Sequence, residues 1–214
     1  MKRVLILGGG GRLGSRLAKI LGRSGYDIVI TRHNRSSDFH LSQDRNVLVA
    51  DLSIASHWAK LAHLYSGAVL IDCVAIRNPL PNPEIRDLTT FAKEVRKTSH
   101  MLEFIGKFPA LCILSSASVH SNVDDSTVPY GLVCDEIESF VKNVPPGIQI
   151  LDWDANYGEF KKAQPFLDIV PPNHTFQNLR LNGLSKYLCE LVFIEVARNL
   201  GFSLTILRPP RITF

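Results

Sequence analysis

The apolar run Val4-Leu5-Ile6-Leu7 stops at four consecutive glycines, Gly8 to Gly11, and an amphipathic stretch begins at once at Arg12. No linker separates the two. A strand that passes directly into a helix needs a very tight turn, and the spacing Gly8-x-x-Gly11-x-x-Gly14 provides it. In this context the first glycine permits the turn. The second lets the backbone approach a pyrophosphate, and the third lets helix and strand pack closely. The helix N-terminus then presents free N–H groups and the positive end of its dipole to an anion.

The chain beyond this turn keeps the same rhythm. Apolar runs alternate with amphipathic segments, which predicts a parallel sheet covered by helices. Strands are expected at 3–8, 27–31, 46–50, 68–74 and 110–115, and helices near 12–24, 54–65 and 84–106. The expected fold is a doubly wound α/β sheet in the order 3-2-1-4-5-6, with helices on both faces. Its 214 residues, 45% of them hydrophobic, suffice for one domain spanning 1–214 with a sizeable core. Within it, 120–178 reads as an insertion or partial lid.

Charge and cysteine usage narrow the function classes. A net charge of +4 without a basic run of five does not suggest nucleic acid, but it suits an anionic small molecule. No apolar stretch is long enough to span a membrane, and the run after Arg3 is too short for a signal peptide. Cys73, Cys112, Cys134 and Cys189 lie far apart without metal-ligand spacing, so reduced thiols in a cytoplasmic protein are expected. Asp152, Asp154 and Glu159 fit no ligand set and read as solvated loop acids, so no metal is expected.

The glycine spacing in "LGGGGRLG" resembles the short-chain dehydrogenase/reductase superfamily, most closely its extended and atypical branches, which include NAD-dependent epimerases and dehydratases. Three further stretches carry the likeness. "VADLSI" resembles the third-strand motif, and "DCVAIRN" the fourth, with Ile76 where the family has glycine. "ILSSASVH" resembles the fifth. The match is good over about 3–120. The resemblance implies a Rossmann-type dinucleotide site formed by Gly8, Gly11, Arg12, Leu13 and Gly14. Asp51 and Leu52 would lie beside the adenine, with Ala75 and Ser115 also against the cofactor. It further implies a small polar substrate, such as a nucleotide sugar or carbonyl compound, and a homodimer formed through helices flanking the sheet. Extended members carry a substrate region at the C-terminus; in this chain it is expected to be short or missing, either because the protein is a shortened relative or because the chain is a fragment of a longer one.

The end of the second strand bears on cofactor choice. NAD-using relatives place there an acid that bonds the ribose 2′-OH. Counting from Gly8, that position is Arg32, and Arg35 and Arg12 add charge nearby. Guanidinium groups suit a 2′-phosphate, so NADP is expected over NAD.

The family's catalytic set is a Ser, a Tyr and a Lys four residues after the Tyr. Ser116 matches the serine. The Tyr-x-x-x-Lys segment has two placements. In "NGLSKYLCE", followed by "GFSLTILRPPRI", Lys186 matches but the tyrosine position is Asn182. In "PYGLVCDEIE", followed by "GIQILDWDANYGEF", Tyr130 matches but the lysine position is Cys134. The first matches more residues; the second needs no insertion. Ser116, Lys186 and Tyr130 are therefore the catalytic candidates of an NADP(H)-dependent oxidoreductase or epimerase/dehydratase-like enzyme. The incomplete pair keeps a second reading open, a dinucleotide-binding sensor or structural subunit without turnover.

Overall fold

The computed structural model describes residues 2–33, 39–42, 46–74, 83–116, 126–163 and 181–214. The first strand, β1 (Arg3–Leu7), is followed by α1 (Arg12–Arg23), β2 (Asp27–Arg32), the short β3 (His40–Leu41) and β4 (Val47–Val49). Next come α2 (Ala55–Leu64), β5 (Val69–Asp72), α3 (Pro83–Phe104) with a terminal 3₁₀ turn, and β6 (Ala110–Leu114). The later part holds β7 (Thr127–Pro129), α4 (Tyr130–Lys142), β8 (Ile148–Asp154) and β9 (Glu159–Ala163). It closes with α5 (Leu181–Leu200), β10 (Ser203–Arg208) and β11 (Arg211–Thr213). The five strands and three helices expected over the first 115 residues are all present, with ends shifted by one or two positions.

The main sheet runs β3-β4-β2-β1-β5-β6-β10-β8-β9, parallel except for the β3 and β9 edges. Counting only the long parallel strands, the doubly wound order 3-2-1-4-5 is as expected. The sixth place is taken by β10, in register Ser203↔Ala110 through Leu207↔Leu114 with β6. Strand β8, which precedes α5 in the chain, lies outside β10. The helix-and-strand unit beside the fifth strand is thus α5–β10, while α4–β8 extends the sheet beyond it.

A central parallel strand is buried on both faces, which is why β1 reads as an unbroken apolar run rather than an alternating one. Leu5 and Leu7 enter the core under α2, α3 and α5. Val4 and Ile6 enter the core under α1 and α4. Helix α1 contributes Leu13, Leu17 and Leu21, an i, i+4, i+8 stripe that covers the sheet. On the other face Trp58 is wholly buried and donates its indole N–H to Leu52 O at 2.8 Å, so its one polar atom is satisfied.

Three acids expected in loops are instead on the β8–β9 pair and have cationic partners. Asp154 meets Lys161 at 3.0 Å, and Glu159 meets it at 3.9 Å. Asp152 accepts from the buried Arg208 at 3.3 Å. Antiparallel pairing of Asp152↔Lys161 and Asp154↔Glu159 brings these charges together, a relation invisible in linear spacing.

The cysteines are free thiols, and Cys112, Cys134 and Cys189 are buried. Burial pushes the Cys134 thiol up to about 11 and raises Cys112 further, so neither is a thiolate near neutrality. Among the described residues, no helix is long and apolar enough to cross a membrane.

Phe193 anchors α5 to the sheet and is 1% exposed. Phe193→Ala is expected to cost about 3–5 kcal/mol by removing a core ring whose space cannot close. Urea unfolding measures this; a loss below about 1 kcal/mol would contradict the packing described.

Candidate functional site

The glycine turn is built by steric necessity. Gly8 adopts φ +74°, a conformation that L side chains rarely take. A Cβ on Gly14 would stand 2.6 Å from Gly8 O and 2.7 Å from Gly9 Cα, both backbone atoms. Only glycine lets α1 start this close to the end of β1. The turn is held by Gly11 N–H donating to Gly8 O at 2.9 Å, and by Gly8 N–H donating to the buried Thr31 Oγ1 at 3.0 Å. Thr31, in β2, was not singled out from sequence; an inward hydroxyl late in an apolar strand was its only signal.

The N-terminus of α1 is left open. Its N-cap Gly11 makes no side-chain capping bond, and its first turn carries no acid. The unfilled donors and the dipole therefore favour an anion there. The residues fit a dinucleotide diphosphate at this place, because a side chain on Gly11 would crowd Gly8 O at 3.2 Å and fill the approach.

Arg32 ends β2, and its exposed side chain lies over Gly10: a Cβ at Gly10 would be 2.9 Å from Arg32 Cγ and 3.2 Å from Nε. A hollow of about 480 Å³ is lined here by Gly10, Gly11, Thr31, Arg32, His33 and Val49. A second, of about 410 Å³, shares Thr31 and His33 and runs past Gly8, Asp51, Leu52 and Val74 to Lys93 and Lys97. These hollows lie at the carboxyl ends of β1, β2, β4 and β5, where open α/β sheets bind ligands.

Asp51 forms the far wall. Its Oδ1 accepts from Ser53 N at 2.9 Å and Ser53 Oγ at 2.7 Å, closing a turn that leads into α2. Burial pushes this carboxyl up, but the Ser53 bonds and the nearby His33 and His57 hold it below its ordinary value. Ala75 lies outside the described residues, as does Arg35. Ser115 is buried with its N–H on Leu207 O at 2.8 Å, and its hydroxyl finds no partner among the described residues. Ser116 follows it, partly buried, just past the end of β6.

The catalytic candidates are distributed. Tyr130 opens α4, on the α1 side of the sheet. Its ring stacks on Phe214 at 5.9 Å and carries the Arg16 guanidinium 4.0 Å above it. The β7–β11 pair brings Phe214 there. Lys186 lies on α5, across the sheet, and donates to Glu94 Oε1 at 2.7 Å. The two candidates therefore stand on helices covering opposite faces, each in its own set of contacts. Asn182 lies in the first turn of α5, and its side chain is outside the described residues.

Glu94 was not foreseen. It accepts from both Lys186 and Lys97, and Lys97 also reaches Asp72 at 2.7 Å. Burial alone would raise the Glu94 carboxyl; the two ammonium groups overcome it and bring it to about 2. Lys97 is disfavoured as a cation by burial but raised overall by Asp72 and Glu94. The sequence signal was faint: an i, i+3 Glu-Lys pair on α3, and an acid ending the apolar run of β5.

Residues 4–138 match the family model of the NAD dependent epimerase/dehydratase family. No curated protein sequence matches the chain. Among solved structures, it is similar to UDP-glucose 4-epimerase from Brucella ovis in complex with NAD, at 15% identity and TM-score 0.59, covering 97% of this chain and 51% of that one. It is similar to UDP-glucose 4-epimerase from Thermotoga maritima with UDP-glucose, at 14% identity and TM-score 0.56, covering 96% and 54%. It is also similar to the holo form of an L-threonine dehydrogenase from Cupriavidus necator, at 14% identity and TM-score 0.58, covering 97% and 54%. The chain spans about half the length of these proteins. At such identities the likeness is one of fold.

The Glu94 cluster makes a pH prediction. Its folded value of about 2 lies below the ordinary 4.5, so its stabilisation is complete above 4.5 and is lost as pH falls toward 2. The difference in melting temperature between wild type and Glu94→Gln should be largest above pH 4.5 and shrink toward pH 2. A difference independent of pH would refute the ionic role.

Proposed function

The chain belongs to the NAD dependent epimerase/dehydratase family, and from that membership we propose that it is an NADP(H)-dependent oxidoreductase or epimerase/dehydratase-like protein acting on a small polar substrate, a nucleotide sugar or carbonyl compound. The observation that carries the cofactor choice is the seat of Arg32. Its side chain passes over Gly10, with Nε 3.2 Å from where a Gly10 Cβ would stand, and it lines the hollow beside the α1 N-terminus. A planar, permanently charged fork there matches a 2′-phosphate, whereas an acid would repel it. Arg12 adds a second cation at the start of α1.

In this reading the whole chain is one dinucleotide-binding unit. The backbone of Gly8, Gly11, Leu13 and Gly14 takes the diphosphate, and Asp51 and Leu52 border the adenine. Ser115 lines the site beside Ser116, which orients the substrate oxygen. When bound, the cofactor supplies or accepts the hydride. Lys186 holds the nicotinamide-side ribose hydroxyls. Tyr130, whose ring lies against Arg16 and Phe214, moves the proton. The exposed apolar residues of α3 and α5, Leu88, Val95 and Val192, suit a homodimer.

One observation favours the other reading, a dinucleotide-binding sensor or structural subunit. Tyr130 is held by Arg16 and Phe214 and Lys186 by Glu94, on helices that cover opposite faces of the sheet. Turnover separates the two readings: loss of NADPH absorbance reports net reduction of a carbonyl compound, and conversion of a nucleotide sugar, followed by chromatography, reports the redox-neutral epimerase or dehydratase reaction; neither is expected of a sensor or structural subunit.

The cofactor claim has a quantitative test. A paired arginine–phosphate contact is worth roughly 1.5–3 kcal/mol, so NADPH should bind about 10- to 150-fold more tightly than NADH. Arg32→Asp should abolish or invert that ratio. Equal affinities for the two nucleotides in the wild type would sink the proposal.

A further inference from the structure

Lys186 is the end of a chain of short bonds. Its ammonium donates to Glu94 Oε1 at 2.7 Å, and the same oxygen accepts from Lys97 Nζ at 3.0 Å. Lys97 also donates to Asp72 Oδ2 at 2.7 Å. The other oxygen of Asp72 accepts the Val74 N–H at 3.0 Å. Val74 backs the glycine turn together with Cys73, since its N and Cα and the Cys73 O all lie 3.1 Å from where a Gly8 Cβ would stand. The path thus runs from the glycine turn through the end of β5 and α3 to α5.

Its members are two acids and two lysines, neutral as a set. Asp72, Glu94 and Lys97 are all under 5% exposed, while the Lys186 side chain retains 14%. Replacing such a buried ionic set with apolar side chains is often neutral or stabilising, so its contribution to stability does not by itself explain its presence here. Its geometric effect is definite. A lysine carries four flexible bonds, and an ionic hydrogen bond at 2.7 Å restricts its ammonium to one place. That place is near the start of α5, which runs antiparallel to β10 and so begins at the carboxyl edge of the sheet. Lys97, the middle of the chain, lines the hollow with Gly8 and Asp51.

We infer that Glu94 is a positioning residue, which holds the Lys186 ammonium for the nicotinamide-side ribose of the dinucleotide, while the Asp72–Lys97 pair near the glycine turn stands without it. This rests on the NADP-binding reading above. Glu94 acts through Lys186 and touches no part of the ligand itself. Its removal therefore weakens the nicotinamide half of the site and leaves the adenosine half unchanged.

The test titrates NADPH and 2′,5′-ADP, which lacks the nicotinamide ribose, into wild type, Glu94→Gln, Lys186→Met and the double variant by calorimetry. The Kd for NADPH should rise about tenfold in each single variant, as expected for loss of a charge-assisted contact. The double variant should be no weaker than Lys186→Met alone. The Kd for 2′,5′-ADP should stay constant throughout. An equal loss for both ligands, or a Glu94→Gln loss that persists when Lys186 is already methionine, would overturn the inference and leave Glu94 a structural residue. If Glu94→Gln does not fold, the double variant carries the comparison, because it keeps the Asp72–Lys97 pair without net charge; NADPH binding weaker than in Lys186→Met would then overturn the inference. No binding of 2′,5′-ADP by the wild type would reject the NADP reading. Tight 2′,5′-ADP binding with NADPH unaffected by Glu94→Gln would reject only the role of Glu94.

Discussion

A backbone-on-backbone contact between the first helix and the first strand is the constraint on which the glycine turn depends. Helix α1 starts so near the end of β1 that any side chain at Gly14 would strike Gly8 O. Because that contact is backbone on backbone, it cannot relax by a rotamer change. It sets the direction of α1, and with it the direction of the open N–H groups at the helix start. It also lays the Leu13, Leu17 and Leu21 stripe on the sheet. The anion site and one half of the core therefore share one steric requirement.

The second organising element is electrostatic. Asp72, Lys97, Glu94 and Lys186 link three elements that the apolar core alone would only press together. A comparable knot joins Arg208, Glu190 and Asp152 across α5, β10 and β8. Arg208 is almost wholly buried and donates to both carboxylates, so its charge is matched where water cannot reach it. Both knots include residues of α5. This helix is thus fixed by directional contacts as well as by Phe193 and Ile194, as a helix must be if it is to present a side chain at a defined point.

The arrangement of the later strands explains why the catalytic segment had two placements in sequence. Strand β10 follows β8 in the chain but comes between β6 and β8 in the sheet. Both candidate helices are followed by a parallel strand of the same sheet. Their local patterns are alike, and only the pairing of Leu204 with Leu111 and with Ile148 distinguishes the inner strand from the outer one. The same pairing puts the α4 and α5 candidates on different faces.

Linear spacing was enough to reveal the glycine turn, the alternation of strands and helices up to residue 115, and the cation at the end of β2. Each of these is a local property: glycine where a side chain would clash, an apolar period that differs between helix and strand, and a residue counted from a turn. The partners of charged side chains were not local. Glu94 and Lys186 are 92 positions apart, and Arg208 and Asp152 are 56 apart. No periodicity links such pairs, because they meet only after the crossovers have stacked α3 against α5 and β10 against β8. The lone Tyr130 could be read as an acid–base group from its motif, but its engagement with Arg16 and Phe214 follows from the β7–β11 pairing of distant segments. Local chemistry fixes where a ligand's phosphates would be met; long-range packing decides which side chains stand together around the rest of it.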